Sequence, residues 1–65
     1  MIISRFVDLW DRARHYAKAF DENDIRVVSI VPVKVMGEDC YYVVGQGENI
    51  DFNAVDHTFE ELERR

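Results

Sequence analysis

The stretch "VKVMGEDCYYVV", residues 33–44, decides the fold because it predicts two strands joined by a tight turn. Valine and tyrosine are typical of strands, and Gly37 supplies the turn. We take Gly37-Glu38 as a two-residue type II′ loop, which sets the register of the hairpin. The facing pairs are then Val35 with Cys40, Val33 with Tyr42 and Val31 with Val44.

Both faces of this predicted hairpin are apolar. Side chains alternate between the faces of a strand, so the register divides the residues into two sets. We expect the first set to face the core, and it comprises Val31, Val33, Val35, Cys40, Tyr42 and Val44. The second set comprises Ile30, Pro32, Lys34, Tyr41 and Val43.

Helical and strand patterns flank the hairpin. Residues 4–20 have apolar side chains at helical spacing, with Ser4 as the expected N-cap. Residues 25–35 are rich in β-branched side chains and predict a strand, which Pro32 places at a sheet edge or a bulge.

The remaining residues predict a short third strand at 50–52 and a closing helix at 56–64, capped by Asp56. The apolar stripe of the closing helix is Val55, Phe59 and Leu62. The expected fold is a single α+β domain spanning residues 1–65, in the order α-β-β-(β)-α. Its antiparallel hairpin is packed by an amino-terminal amphipathic helix and a short carboxy-terminal helix.

Size and charge limit the possible functions. A chain of 65 residues buries only about 60% of its unfolded surface, so its stability is marginal. The single thiol, Cys40, and the lack of a signal-peptide pattern favour the cytoplasm, and no apolar run is long enough to span a membrane. The net charge is −5, with eleven acidic against two basic residues between positions 21 and 63. Such a surface disfavours direct nucleic-acid binding and suits a basic protein patch.

Candidate chemistry is sparse. Cys40 with His15 or His57 offers a nucleophile and a base, but no local motif supports catalysis, and the register places Cys40 on the core side. A zinc site from the same three residues lacks the paired short spacing of structural zinc ligands. The glycines of "GQGEN", residues 45–49, precede acidic residues and predict a turn, not a phosphate loop. We expect no enzyme activity, metal or cofactor.

The second face of the hairpin is the expected interaction surface. Two helices on short connections are expected to cover one face, leaving an apolar patch that marks a binding site. The expected partner-binding residues are Ile30, Lys34, Tyr41 and Val43. Pairing of sheet edges across a two-fold axis would bury apolar surface, which favours a homodimer. Alternatively, the helices clasp opposite faces of the hairpin and leave no patch.

The favoured function is therefore a small acidic regulator or inhibitor that binds a protein partner through an apolar sheet face. Stand-alone proteins of this kind are typical of compact genomes such as those of phages. The alternative is a nucleic-acid mimic, whose acidic surface would block the groove of a DNA- or RNA-binding protein. An enzyme or a metal-binding protein is the least favoured reading.

Overall fold

The computed structural model describes all 65 residues and contains three strands and two helices. The strands form one antiparallel sheet in the order β1-β3-β2, so β3 is central. The prediction of a small α+β domain is confirmed, although the order of elements is β-α-β-β-α. The elements are β1 (Ile2–Val7), α1 (Trp10–Glu22), β2 (Arg26–Val35), β3 (Glu38–Gln46) and α2 (Phe52–Glu63).

The third strand is β1, at the amino terminus. The predicted helix over residues 4–20 was wrong in its first part, because residues 2–7 are extended and α1 begins at Trp10. Ser4 is therefore not a helix cap. Pairing with β3 supplies hydrogen bonds along β1, and this tertiary contact outweighs a local spacing that also fits a helix. Burial along β1 has the period of two of a strand: Ile3 and Val7 are buried, whereas Ile2 and Phe6 are exposed.

The hairpin turn lies one residue earlier than predicted. Met36 and Gly37 both have positive φ, 52° and 82°, and they form the two-residue loop. Positive φ at both central positions defines a type I′ turn. The facing pairs are Val35 with Glu38, Val33 with Cys40 and Val31 with Tyr42.

This register differs from the predicted one, yet each face of the hairpin keeps the same residues. Each residue of β2 faces a β3 residue two positions earlier than expected, and a shift of two positions preserves the side to which each side chain points. The composition of the two faces was thus predicted correctly. The assignment of the two faces was wrong: the face expected in the core is exposed, and the other is covered.

Both helices cover the face that was expected to be exposed. Val43, at the centre of β3, has no exposed surface, and Ile3 of β1 is 1% exposed. They share one core cluster with residues from both helices, which rules out helices on opposite faces. The cluster also contains Ala13, Ala19 and Phe20 of α1 and Val55 and Leu62 of α2.

Gly45 allows the end of α1 to approach β3 closely. A Cβ atom at this position would lie 2.6 Å from Cγ2 of Ile25 and 2.7 Å from Cδ2 of Phe20. Both of those side chains are buried, so neither has free space to move into. The missing side chain of Gly45 is therefore a packing requirement on the helix-covered face.

The second helix begins earlier than predicted. Its N-cap is Asp51, whose side chain accepts a hydrogen bond from the backbone N–H of Ala54 at 3.1 Å. The predicted strand at 50–52 and the predicted cap at Asp56 were both wrong, because Asp51 accepts from one free amide of the first turn and α2 begins at Phe52. The apolar stripe was predicted correctly: Val55 and Leu62 are buried, and Phe59 packs against the core.

Candidate functional site

The sheet face opposite the helices carries the most distinctive surface of this chain. We call it the open face. It consists of the alternate side chains of all three strands that point away from α1 and α2. Its members are Ile2, Ser4 and Phe6 of β1, Cys40, Tyr42, Val44 and Gln46 of β3, and Ser29, Val31 and Val33 of β2. Val35 and Glu38 complete it at the hairpin end, and Arg26 completes it at the opposite end.

An apolar row crosses the middle of the open face. Tyr42 pairs with Phe6 on one side and with Val31 on the other. The Phe6 and Tyr42 rings are in contact, with centroids 5.1 Å apart and planes tilted by 58°. These three side chains remain 48%, 41% and 40% exposed for Phe6, Tyr42 and Val31. The row therefore presents aromatic and branched apolar surface to solvent.

The open face carries almost no charge. Of the thirteen acidic residues in the chain, only Glu38 belongs to it, at the hairpin end. At the opposite end of the sheet, Arg26 pairs with Gln46 and donates a hydrogen bond to its side-chain oxygen at 2.8 Å. Between these ends every side chain is neutral. Depletion of charge with exposed aromatics is typical of the centre of a protein interface.

The free edge of β2 is poorly suited to adding another strand. Pro32 lies within β2 and lacks an N–H, while the pairing of β2 with β3 continues through it. Its nitrogen must therefore lie on the free side of the strand, where an added strand would find no donor. A bulge between Val27 and Ser29 further distorts this edge. The prediction that Pro32 marks an edge strand is confirmed.

The structure places the predicted partner-binding residues away from the open face. Val43 is fully buried, and Ile30 and Tyr41 pack against the core beneath the helices. Tyr41 also contacts the Trp10 ring edge-on, with centroids 5.3 Å apart. Only Lys34 is exposed, and it pairs with Asp39 at 2.9 Å. The expectation that this set forms an exposed apolar patch was wrong, because the helices cover it.

A partly buried polar network joins β1 to both helices. Arg5 donates two hydrogen bonds to Asp56, from Nε to Oδ1 at 2.8 Å and from Nη2 to Oδ2 at 3.1 Å. The Tyr16 hydroxyl donates to Asp56 Oδ1 at 2.9 Å. The Tyr16 ring also stacks on Phe59, with centroids 3.7 Å apart and planes inclined by 7°. No local pattern predicts this network, because its members lie 40 and 51 residues apart in the chain.

The network shifts the acidity of its members. Hydrogen bonds from Arg5 hold the pKa of Asp56 below its usual range, and the same contact raises the pKa of Arg5. Burial, with the hydrogen bond to Asp56, raises the pKa of Tyr16 to about 12. All three changes favour an ionised Asp56 and a neutral Tyr16 in the folded chain. Each polar group has its partner, so the network stabilises the packing of β1 and the helices.

The residues considered for catalysis or zinc are not brought together. Cys40 is buried on the sheet, apart from the main core cluster. His15 of α1 contacts Glu63 of α2, and His57 pairs with Glu61 one helical turn away at 2.9 Å. No group of three or more histidine, cysteine or acidic side chains is arranged to hold a metal ion. Neither helix is long and apolar enough to cross a membrane.

Comparison with protein-family models, with curated proteins and with solved structures finds no significant match to this chain. The functional argument therefore rests on the open face.

Proposed function

We propose that this chain is a small non-enzymatic interaction module that regulates or inhibits a protein partner by docking it on the open face. The observation that carries the proposal is the exposed row of Phe6, Tyr42 and Val31 across all three strands. Tyrosine and phenylalanine are enriched at interface centres because their rings contribute a large contact area. The neutral surroundings of the row reduce the desolvation cost of burying it.

The position of the charged residues supports docking by apolar contact. The acidic residues lie on the helices, on the loops and at the hairpin end, so most of them lie away from a partner bound to the open face. A nucleic-acid mimic would instead present its carboxylates to the partner, from the helical side. The two functions therefore predict different binding surfaces on the same chain.

Partner capture with two matched variants tests the proposal. The tagged chain is exposed to extract of its native cell, and each retained protein is purified and its affinity measured directly. Tyr42→Asp places a charge at the centre of the open face. Met36→Asp makes the same change in charge at the turn, where Met36 is 98% exposed and lies outside the face.

The expected result is a partner bound by the wild type and by Met36→Asp, and lost with Tyr42→Asp. Its affinity should change little between about 0.05 and 0.5 M salt, because neutral contacts are not screened. A partner that binds Tyr42→Asp as well as the wild type refutes the proposal. Steep weakening with salt, with Tyr42→Asp still binding, would instead support the mimic.

A further inference from the structure

We infer that a second copy of this chain covers the open face, the two sheets stacking about a two-fold axis with their strands antiparallel. The inference rests on the proposed function, because the second copy occupies the same face and a protein partner would have to displace it from there. Stacked sheets pack about 10 Å apart, with side chains of the two inner faces interdigitating. In such a sandwich the helices of both copies lie on the outside.

Charge favours a second copy as the occupant. A chain with a net charge of −5 repels its own copy over most of its surface. The open face is the exception, since it is neutral between Arg26 and Glu38. A strongly basic partner would find its complementary carboxylates on the helical side instead. The open face therefore matches a partner surface that is also neutral and apolar. The open face of a second copy is such a surface.

The two charged ends of the open face set the orientation. Along β3 its positions are Glu38, Cys40, Tyr42, Val44 and Gln46, so the row through Tyr42 lies in the middle. A two-fold axis along that row places each end of one sheet over the opposite end of the other. Arg26, beside Gln46, then lies near Glu38 of the second copy, and the contact occurs twice. An axis parallel to the strands would instead stack Glu38 on its own copy.

Stacking of faces is favoured over pairing through the edge of β2. Edge pairing through β2 would meet the missing donor of Pro32 and the bulge between Val27 and Ser29. Face stacking needs no free backbone groups, and it buries the exposed row of Phe6, Tyr42 and Val31. In the proposed homodimer the contact is therefore made by side chains of the open face and not by the edge of β2.

The size of the face predicts a weak dimer. The strands have 6, 10 and 9 residues. At about 4.8 Å between strands and about 3.3 Å per residue, the sheet covers roughly 400 Å². Two stacked copies then bury on the order of 1,000 Å² of accessible surface, the low end for specific interfaces. Interfaces at this low end include weak, transient contacts, so we expect a dissociation constant of roughly 10 μM to 1 mM.

Sedimentation equilibrium over that concentration range tests the inference. The wild type and Met36→Asp should show the same monomer–dimer equilibrium. Tyr42→Asp should weaken it at least about 100-fold, because the two new carboxylates meet near the axis. Circular dichroism of each variant establishes that it is folded. A wild type that stays monomeric up to about 1 mM, or a dimer unaffected by Tyr42→Asp, overturns the inference.

Charge exchange at the ends of the face tests the orientation with exposed side chains only. Arg26→Glu and Glu38→Arg should each weaken the dimer about tenfold, since each turns two attractive contacts into repulsive ones. The double variant should restore wild-type affinity. The single variants move the net charge in opposite directions, so a general charge effect would weaken one dimer and strengthen the other. That outcome, or a double variant weaker than both singles, overturns the antiparallel arrangement.

The two proposals fail separately. A monomeric wild type that still captures a partner through Tyr42 overturns the second copy and leaves the proposed function standing. A dimer that retains no other protein supports the second copy and overturns the proposed regulation of a partner.

Discussion

Replacing Gly45 by alanine should destabilise this protein, although alanine is normally the better residue in a strand. The added Cβ would lie 2.6 Å from Ile25 Cγ2 and 2.7 Å from Phe20 Cδ2, where ordinary contacts between carbon atoms are about 3.5–4.0 Å. Ile25 and Phe20 are 3% and 0% exposed, so relief requires α1 to move away from the sheet. Overpacking of this kind typically costs about 1–3 kcal/mol.

Alanine also restricts the unfolded chain, which offsets about 0.4–1 kcal/mol of that cost. The difference is about 0–2.6 kcal/mol, and because the contacts of 2.6 and 2.7 Å are with buried side chains we expect a net loss in the free energy of unfolding of about 1–2 kcal/mol. A domain of this size has a total of roughly 3–10 kcal/mol, so the loss is a substantial fraction. With a urea dependence of about 1 kcal/mol per molar, the unfolding midpoint should fall by about 1–2 M.

Gly47→Ala is the matched control, because it makes the same change two residues away. A Cβ at Gly47 would lie 3.3 Å from Ile50 Cγ1 and 3.5 Å from Ile25 Cγ1, contacts that a small adjustment relieves. Its free energy of unfolding should stay within about 0.5 kcal/mol of the wild type. If Gly45→Ala proves as stable as the wild type, the close approach of α1 to β3 is absent and the argument for the covered face is wrong.

Three further substitutions test the turn and the network around Asp56. Met36→Asn should raise the free energy of unfolding in urea by about 0.5–1 kcal/mol, because asparagine tolerates positive φ; no gain would contradict the type I′ turn. Asp56 has a lowered pKa when folded, so its stabilisation is present above about pH 4 and lost as the pH falls. Asp56→Asn should flatten that loss in acid titrations followed by circular dichroism, and an unchanged slope would argue against the Arg5–Asp56 contact. The raised pKa of Tyr16 stabilises the fold below about pH 10, and this stabilisation is lost as the pH rises towards 12. Tyr16→Phe should remove this loss of stability at alkaline pH. A loss that persists in Tyr16→Phe would come from another group and would contradict the assignment to Tyr16.

The amino-terminal strand shows why local spacing misled the prediction. Phe6, Trp10 and Ala13 follow helical spacing, whereas "IISRFV" does not alternate apolar and polar residues as a half-exposed strand would. The local pattern therefore favours a helix, and pairing with β3 overrides it. The choice depends on β3, whose apolar run "CYYVV" is typical of a strand with neighbours on both sides. A central strand needs a second partner, and β1 provides it.

The network of Arg5, Tyr16 and Asp56 lay beyond sequence reasoning for a different reason. Its members come from β1, α1 and α2, and only the packing of all three elements brings them together. Asp56 looked like an N-cap because it precedes a short helical pattern, and aspartate favours that position. Asp51 is the N-cap instead, so Asp56 lies within α2 and its carboxylate accepts hydrogen bonds from Arg5.

The reversal of the two sheet faces leaves the main functional argument intact. Membership of each face follows from the period of two, and both sets contain branched and aromatic side chains, so composition does not reveal which set the helices cover. The deciding residue is Gly45, which lies on the same side as Tyr41 and Val43 and gives α1 room to approach. In the sequence this glycine looked like part of a turn. The argument for an interaction surface, however, requires only that both sets be apolar and that both helices lie on one side. Because α1 and α2 share a single core cluster, whichever set they cover leaves the other exposed, and here that set is centred on Tyr42.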